Sequence, residues 1–145
     1  IGGEIPRINP ERNLAMYRAL TSAMSEGLVV SAHDCSDGGL AVALAECCFG
    51  ADTGASVDIA GLKSDHNHLD EWGALFGESM GRILVSISPD DSEGFSKVMG
   101  SNSCTLLGTV EEGDDIIVRS GETEVLRASM SKLRESWQGA LGGDA

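Results

Sequence analysis

Apolar residues recur along this chain with two different periods, and each period predicts one kind of element. A spacing of three or four residues predicts helices, whereas strict alternation or a short β-branched run predicts strands. The predicted helices are Pro10 to about Gly27, Leu40 to about Gly50, Leu69 to Phe76, Asp90 to Met99 and Leu126 to Trp137. The predicted strands are Val29–Ala32, Ala55–Ile59, Ile83–Ile87, Leu106–Val110 and Ile116–Arg119, with Ile83–Ile87 as a central strand. Because these elements interleave without a regular βαβ repeat, we expect an α+β fold: one domain, residues 1–145, with helices covering a mixed β-sheet.

Capping signals sharpen two of the helix starts. Asn9-Pro10 supplies an N-cap residue and a proline at the first helical position, and Asp90 to Glu93 resembles a capping box. Leu75, Phe76 and Trp137 fit helix faces and are expected in the core.

The acidic balance of the chain limits its partners. Ten basic and 23 acidic residues give a formal charge of −13, which repels nucleic acid and anionic membranes. An anionic ligand therefore needs local compensation from a helix N-terminus, a few arginines or Mg²⁺.

The cysteines and the chain start concern the cellular context. Cys35, Cys47, Cys48 and Cys104 have no C-x-x-C spacing, so we expect reduced core thiols. Together with the lack of a signal peptide or a membrane-length apolar run, this predicts a cytoplasmic location. The first residue is Ile1, so we expect a piece of a longer protein.

The densest polar cluster follows the first predicted strand and precedes the second helix. It contains His33, Asp34, Ser36, Asp37, Gly38 and Gly39. Free N–H groups at a helix N-terminus, with glycines that allow close approach, are able to hold a phosphate. The simpler alternative is that Ser36 or Asp37 caps the helix while the glycines form the turn. A His33–Asp34 catalytic pair is the weaker hypothesis, because adjacent strand residues point to opposite faces.

A second polar cluster lies between the third helix and the strand from Ile83. Glu78, Ser79 and Arg82 offer an acid, a hydroxyl and a guanidinium for a polar ligand. The alternative is a surface pair of Glu78 with Arg82. The His66-Asn67-His68 sequence is interpreted as a solvated loop, and no metal site is assigned.

These two clusters resemble a known family. His33 to Glu46 is similar to the HDVSDGGLAVALAE stretch of phosphoribosylformylglycinamidine synthase, with Cys35 in place of a valine. Leu75 to Val85 resembles the LFGES-x-x-R strand entry of that family, and Gly2 to Arg7 resembles the segment before its first helix. The matches occur in the same order and cover about the first 90 residues.

The resemblance implies a C-terminal domain of the aminoimidazole ribonucleotide synthetase type, with three layers and a partly ferredoxin-like fold. It implies a role in an ATP- and Mg²⁺-dependent ligase of purine synthesis, which converts formylglycinamide ribonucleotide with glutamine-derived ammonia. ATP and Mg²⁺ would be bound mainly by other domains, so no catalytic residue is assigned here. The implied partners are the remaining synthetase domains, a separate or fused glutaminase and small accessory subunits. Glu78-Ser79-Met80 would correspond to a substrate-contacting E-S-Q segment, with Met80 replacing the amide.

Two alternatives remain open at this stage. One is the C-terminal domain of a sibling enzyme, such as selenophosphate synthetase or thiamin-monophosphate kinase. The other is a non-catalytic interaction module whose loops are only caps and turns.

Overall fold

The computed structural model describes residues 8–64, 70–102 and 104–141. The chain divides into two compact units: unit 1 comprises Ile1–Asp37 and Glu78–Cys104, and unit 2 comprises Gly38–Gly77 and Thr105–Ala145. The helices are α1 (Pro10–Ser25), α2 (Gly39–Ala51), α3 (Ala60–Ser64), α4 (Glu71–Phe76), α5 (Ser92–Met99) and α6 (Met130–Leu141). The strands are β1 (Ser31–Asp34), β2 (Gly54–Asp58), β3 (Ile83–Ser86), β4 (Gly108–Glu111), β5 (Asp115–Ser120) and β6 (Thr123–Ser129). None of these helices is long and apolar enough to cross a membrane.

Unit 1 combines a two-stranded sheet with two helices. Strands β1 and β3 pair antiparallel, and the apolar faces of α1 and α5 form the core. Its buried residues are Leu20, Ala23, Phe95 and Met99, with partly buried apolar residues packed around them.

Unit 2 contains a four-stranded mixed sheet in the order β4-β2-β5-β6. Strand β2 is parallel to β5, and the other two pairs are antiparallel. Alternate residues of the two central strands are buried, including Val57, Ile116 and Val118, as expected for a sheet with one face on the core. Leu40, Leu44 and Leu75 contribute buried side chains from helices α2 and α4.

The structure confirms the α+β class and the start of the first helix. Helix α1 begins at Pro10, and the Asn9 side chain accepts a hydrogen bond from the Arg12 backbone N–H at 3.0 Å. The single mixed sheet, however, is two sheets within the described residues. Strand β3, predicted to be central, pairs in those residues with β1 alone.

The prediction of a closing helix from Leu126 is wrong in its first part. Residues Thr123–Ser129 form β6, and α6 begins only at Met130. Leu126, Met130, Leu133 and Trp137 have helical spacing, but the turn before Thr123 returns the chain antiparallel to β5, so sheet pairing determines the structure of this segment.

Three further predictions need correction. The first strand is β1, Ser31–Asp34, rather than Val29–Ala32, because its register is set by pairing with β3. The predicted capping box is absent: a short 3₁₀ turn, Pro89–Asp91, precedes α5, and Asp91 makes no side-chain cap. Leu75 is fully buried as expected, but Phe76 and Trp137 are 44% and 51% exposed.

Candidate functional site

The pairing of β1 with β3 brings parts of the two polar clusters together in unit 1. Asp34 lies opposite Ile83 in the antiparallel register. One residue further on, the Cys35 backbone N–H donates to the Arg82 carbonyl oxygen at 3.0 Å. The end of β1 therefore lies directly beside the residue that leads into β3.

The side chains at the end of β1 form a local hydrogen-bond network. The Ser36 hydroxyl donates to the Asp34 carboxylate, and this bond is the main reason why the pKa of Asp34 lies below its usual value. Nδ1 of His33 lies 2.7 Å from the Asp34 carbonyl oxygen. Because its pKa is lowered, the Asp34 carboxylate is charged at neutral pH. Asp34 is solvent-exposed, so this carboxylate is accessible to a ligand, and His33 is half-buried.

Gly38, rather than Ser36 or Asp37, occupies the N-cap position of the second helix. Since glycine has no side chain, this position itself supplies no side-chain cap. Ser36 interacts with Asp34 instead. The turn itself is formed by the glycines as expected, since Gly38 and Gly39 have φ values of +76° and +65°.

Cys35, which lies between Asp34 and Ser36 in the sequence, interacts with Arg82. The Cys35 side chain is buried, and burial raises the pKa of its thiol, while the charge of the Arg82 guanidinium partly opposes that rise. At neutral pH the thiol is therefore protonated.

The second loop is packed against α1. Gly81 has a φ of +81°, and a Cβ atom added to it would lie 2.6 Å from the Asn13 side-chain nitrogen. Asn13 thus contacts the turn between Ser79 and Arg82, a contribution that no local sequence signal indicated. The residues of this turn are not helical, as the glycines predicted.

Gly38 and Gly39 belong to unit 2, and close packing explains why both are glycine. A Cβ atom on Gly38 would overlap the Val42 side chain. A Cβ atom on Gly39 would lie 2.8 Å from the carbonyl oxygens of Leu75 and Gly77. These glycines allow the first turn of α2 to begin against the end of α4.

Apart from Gly38 and Gly39, the predicted residues of the two polar clusters all belong to unit 1. We call them the β1–β3 loop cluster. Its members are His33, Asp34, Ser36, Asp37, Glu78, Ser79 and Arg82. These residues include one guanidinium, two hydroxyls, an imidazole and three carboxylates, and the pairing of β1 with β3 places the end of β1 beside the Arg82 backbone.

Metal binding by this cluster would depend on the ligand. No group of three or more His, Cys, Asp or Glu side chains is placed to hold a metal ion within residues 8–64, 70–102 and 104–141. Mg²⁺ is commonly bound by one or two carboxylates together with phosphate oxygens of the ligand. The predicted H-x-H loop at His66 and His68 lies outside the described residues.

Comparison with known proteins places this arrangement in a family. Residues 2–121 match the family described as "AIR synthase related protein, C-terminal domain". A curated relative, the phosphoribosylformylglycinamidine synthase subunit PurL of Prochlorococcus marinus, is 33% identical over 149 residues. That alignment covers 97% of this chain and 18% of the relative, so the chain spans about a fifth of its length.

Solved structures with the same fold agree with the match. A Thermotoga maritima PurL complexed with FGAR superposes with a TM-score of 0.80 at 22% identity, covering 89% of this chain and 22% of that one. The PurLQS structure from Thermotoga maritima gives a TM-score of 0.78 at 22% identity, covering 88% and 22% of the two chains. Since the family match extends over most of the chain and the fold agrees, this chain belongs to the family of C-terminal domains of AIR synthase related proteins.

Proposed function

We propose that this chain is the C-terminal domain of the synthetase subunit of a phosphoribosylformylglycinamidine synthase. The observation that supports this most directly is the 33% identity to a PurL subunit along 97% of the chain. The whole enzyme would be a C–N ligase that converts formylglycinamide ribonucleotide, ATP and glutamine-derived ammonia to formylglycinamidine ribonucleotide in purine synthesis. The domain would act in the cytoplasm.

The chemistry of this reaction would lie mainly outside the chain. Phosphorylation of an amide oxygen creates a good leaving group for ammonia, and Mg²⁺ balances the phosphoryl charge when it is bound. ATP and Mg²⁺ would be held mainly by other domains of the synthetase, and the isolated chain would be inactive. Related structures named as complexes with ATP and with FGAR, and as the PurLQS assembly, support these ligands and further subunits for the whole enzyme.

The β1–β3 loop cluster would contribute ligand contacts rather than catalysis. Arg82 would orient an anionic group, while the hydroxyls of Ser36 and Ser79 would donate to its oxygens. The carboxylate of Asp34, charged at neutral pH, would help to hold a phosphate-bound Mg²⁺. Gly38 and Gly39 would act indirectly, by fixing the start of α2 against α4.

Growth of a purine-requiring host that lacks this synthase tests the proposal. The host receives the full-length parent gene with its partner subunits, or the segment Ile1–Ala145 alone. We expect rescue by the parent and none by the segment. If a soluble, expressed parent fails to rescue, the purine assignment is wrong and the sibling ATP-dependent enzymes become the better candidates.

The same host tests the loop cluster separately. Arg82→Ala in the parent gene should slow growth without purines, whereas Arg18→Ala, on the exposed side of α1, should not. Equal growth of both variants, with equal amounts of soluble protein, would remove the cluster from the ligand site while leaving the family assignment intact.

A further inference from the structure

Unit 2 contains an open apolar cavity that shares no residue with the β1–β3 loop cluster. The α2–α6 cavity has a volume of about 220 Å³ and lies between these two helices and the core face of the sheet. Ala45 and Phe49 line it from α2, Leu133 and Trp137 from α6, Phe76 from α4 and Val118 from β5. Glu46 is the ionisable residue among the 13 that line it.

This cavity is larger than the gaps found inside well-packed proteins. Protein interiors leave few voids larger than a water molecule, and an apolar void of comparable size takes up apolar molecules instead of water. Val118 lines the cavity from β5 and is 1% exposed, so its side chain belongs to the core of unit 2. The cavity is therefore a space that an apolar group is able to enter.

The rim of the cavity is aromatic and exposed. Phe76 stacks on Trp72, and Trp137 packs at a tilt against Phe49, with ring centroids 6.0 Å apart in each pair. Trp72, Phe76 and Trp137 are 58%, 44% and 51% exposed. A small molecule inside the cavity would leave these rings uncovered, whereas a polypeptide lying across the rim would bury them.

The charges around the cavity select the kind of polypeptide. The helices that line it carry Glu46, Glu71 and Glu135 against Lys132 and Arg134, and α4 begins at the acidic Asp70 cap. Arg134 on α6 pairs with Asp52 and donates to the Phe49 carbonyl oxygen at 3.0 Å. Unit 2 as a whole has 14 acidic and five basic residues.

The acidic charge also makes a second copy of this chain a poor partner for the α2–α6 cavity. Each copy carries a formal charge of −13, so two copies repel each other. A partner with a basic polar face would be attracted instead, and amphipathic helices bind apolar grooves through side chains spaced three or four residues apart.

We propose that the α2–α6 cavity docks an amphipathic helix of another protein, which inserts one large apolar side chain and covers the aromatic rim with a basic flank. This docking site lies in unit 2 and is independent of the proposed function. A leucine or phenylalanine side chain fits the available volume, and basic residues beside it would lie near Glu46 and Glu135.

Peptide binding to the 145-residue chain tests this inference. The probes are two helical peptides with leucines at the same positions, one with lysine and one with glutamate elsewhere. Trp72→Phe leaves Trp137 as the single tryptophan, so its fluorescence reports on the rim. Ala45→Leu fills the cavity, and Ala15→Leu makes the same change on the exposed surface of α1 in unit 1.

We expect the lysine peptide to bind with a blue shift of Trp137 emission, and Ala45→Leu to weaken binding by at least about tenfold through loss of the cavity. The Ala15→Leu variant should bind the lysine peptide as tightly as the 145-residue chain without that substitution. Circular dichroism checks folding, and if Ala45→Leu does not fold, the smaller Ala45→Val replaces it.

Several results would overturn the proposal. These are no binding of the lysine peptide, equal binding to Ala45→Leu and Ala15→Leu, and equal affinity for the glutamate peptide. Sedimentation that shows a dimer disrupted by Ala45→Leu would assign the cavity to a second copy. A Trp137 shift with benzene, when neither peptide binds, would assign it to small apolar molecules.

Discussion

The two units differ in how their residues are used. The largest fully buried side chains among the described residues, Ile59, Leu75 and Val118, all lie in unit 2. Every residue of β3 in unit 1 is only half-buried, yet unit 1 carries all seven members of the β1–β3 loop cluster. The formal charges also differ, −9 for unit 2 and −4 for unit 1. Close packing and candidate ligand contacts are thus concentrated in different parts of the chain.

The largest expected effect comes from a glycine that packs against backbone. Gly39→Ala in unit 2 would place a methyl group 2.8 Å from two carbonyl oxygens, at a φ of +65°. We expect a loss of more than about 4 kcal/mol in the free energy of unfolding. Equilibrium urea denaturation measures it.

Gly27→Ala in unit 1 is the matched control for that change. Its φ is +75°, but nothing lies within 4 Å of the added Cβ atom, so only the backbone cost of about 1–2 kcal/mol applies. Equal losses for the two variants would show that the contact between α2 and α4 does not constrain Gly39.

A smaller difference is expected from truncating leucines in the two cores. Leu75→Ala removes a fully buried side chain of unit 2 and should cost about 3–5 kcal/mol. Leu28→Ala removes a half-buried side chain at the core of unit 1 and should cost about 1–2 kcal/mol. The same denaturation experiment compares them, and a larger loss for Leu28→Ala would reverse the assignment of packing.

The smallest expected effect is on the loss of stability at low pH. Asp114 accepts hydrogen bonds from the Ser129 and Ser131 hydroxyls at 2.6 and 2.8 Å and from the Ser131 backbone N–H at 2.9 Å. The serine hydroxyls hold the pKa of Asp114 below its ordinary value, as the Ser36 hydroxyl does for Asp34 in unit 1. This stabilisation is present above the ordinary carboxyl pKa and is lost as the pH falls through the lowered one.

Thermal melts between pH 6 and about pH 2 test this linkage. Asp114→Asn should lower the Tm at pH 6 and flatten its fall in acid, and Asp34→Asn should do the same to a smaller extent. An unchanged acid slope in Asp114→Asn would show that the start of α6 does not depend on this carboxylate.

Local signals predicted the elements whose structure is decided locally. The start of α1 follows from Asn9-Pro10, and the turn before α2 follows from Gly38-Gly39, because capping and positive φ need no distant partner. The sequence pattern does not reveal strand β6, because pairing with β5 overrides the helical spacing that begins at Leu126. Propensity gives way to tertiary pairing in such segments.

The candidate site was predictable only as two separate loops. Their residue types and their resemblance to a family identified them, but the register of Asp34 opposite Ile83 joins segments that are far apart in the sequence. The exposure of Phe76 and Trp137, and the cavity they border, depend on how three helices and a sheet fit together. No local pattern contains that information.

The division of the chain also sets an order for its folding during synthesis. Neither unit is a continuous stretch, since the chain passes between units after Asp37, Gly77 and Cys104. A ribosome completes unit 1 at Cys104, before any residue of β4, β5 or β6 has been made. The pairing of β2 with β4 and β5 must therefore wait until the last quarter of the chain emerges. Unit 2 is therefore the later of the two units to be complete during synthesis.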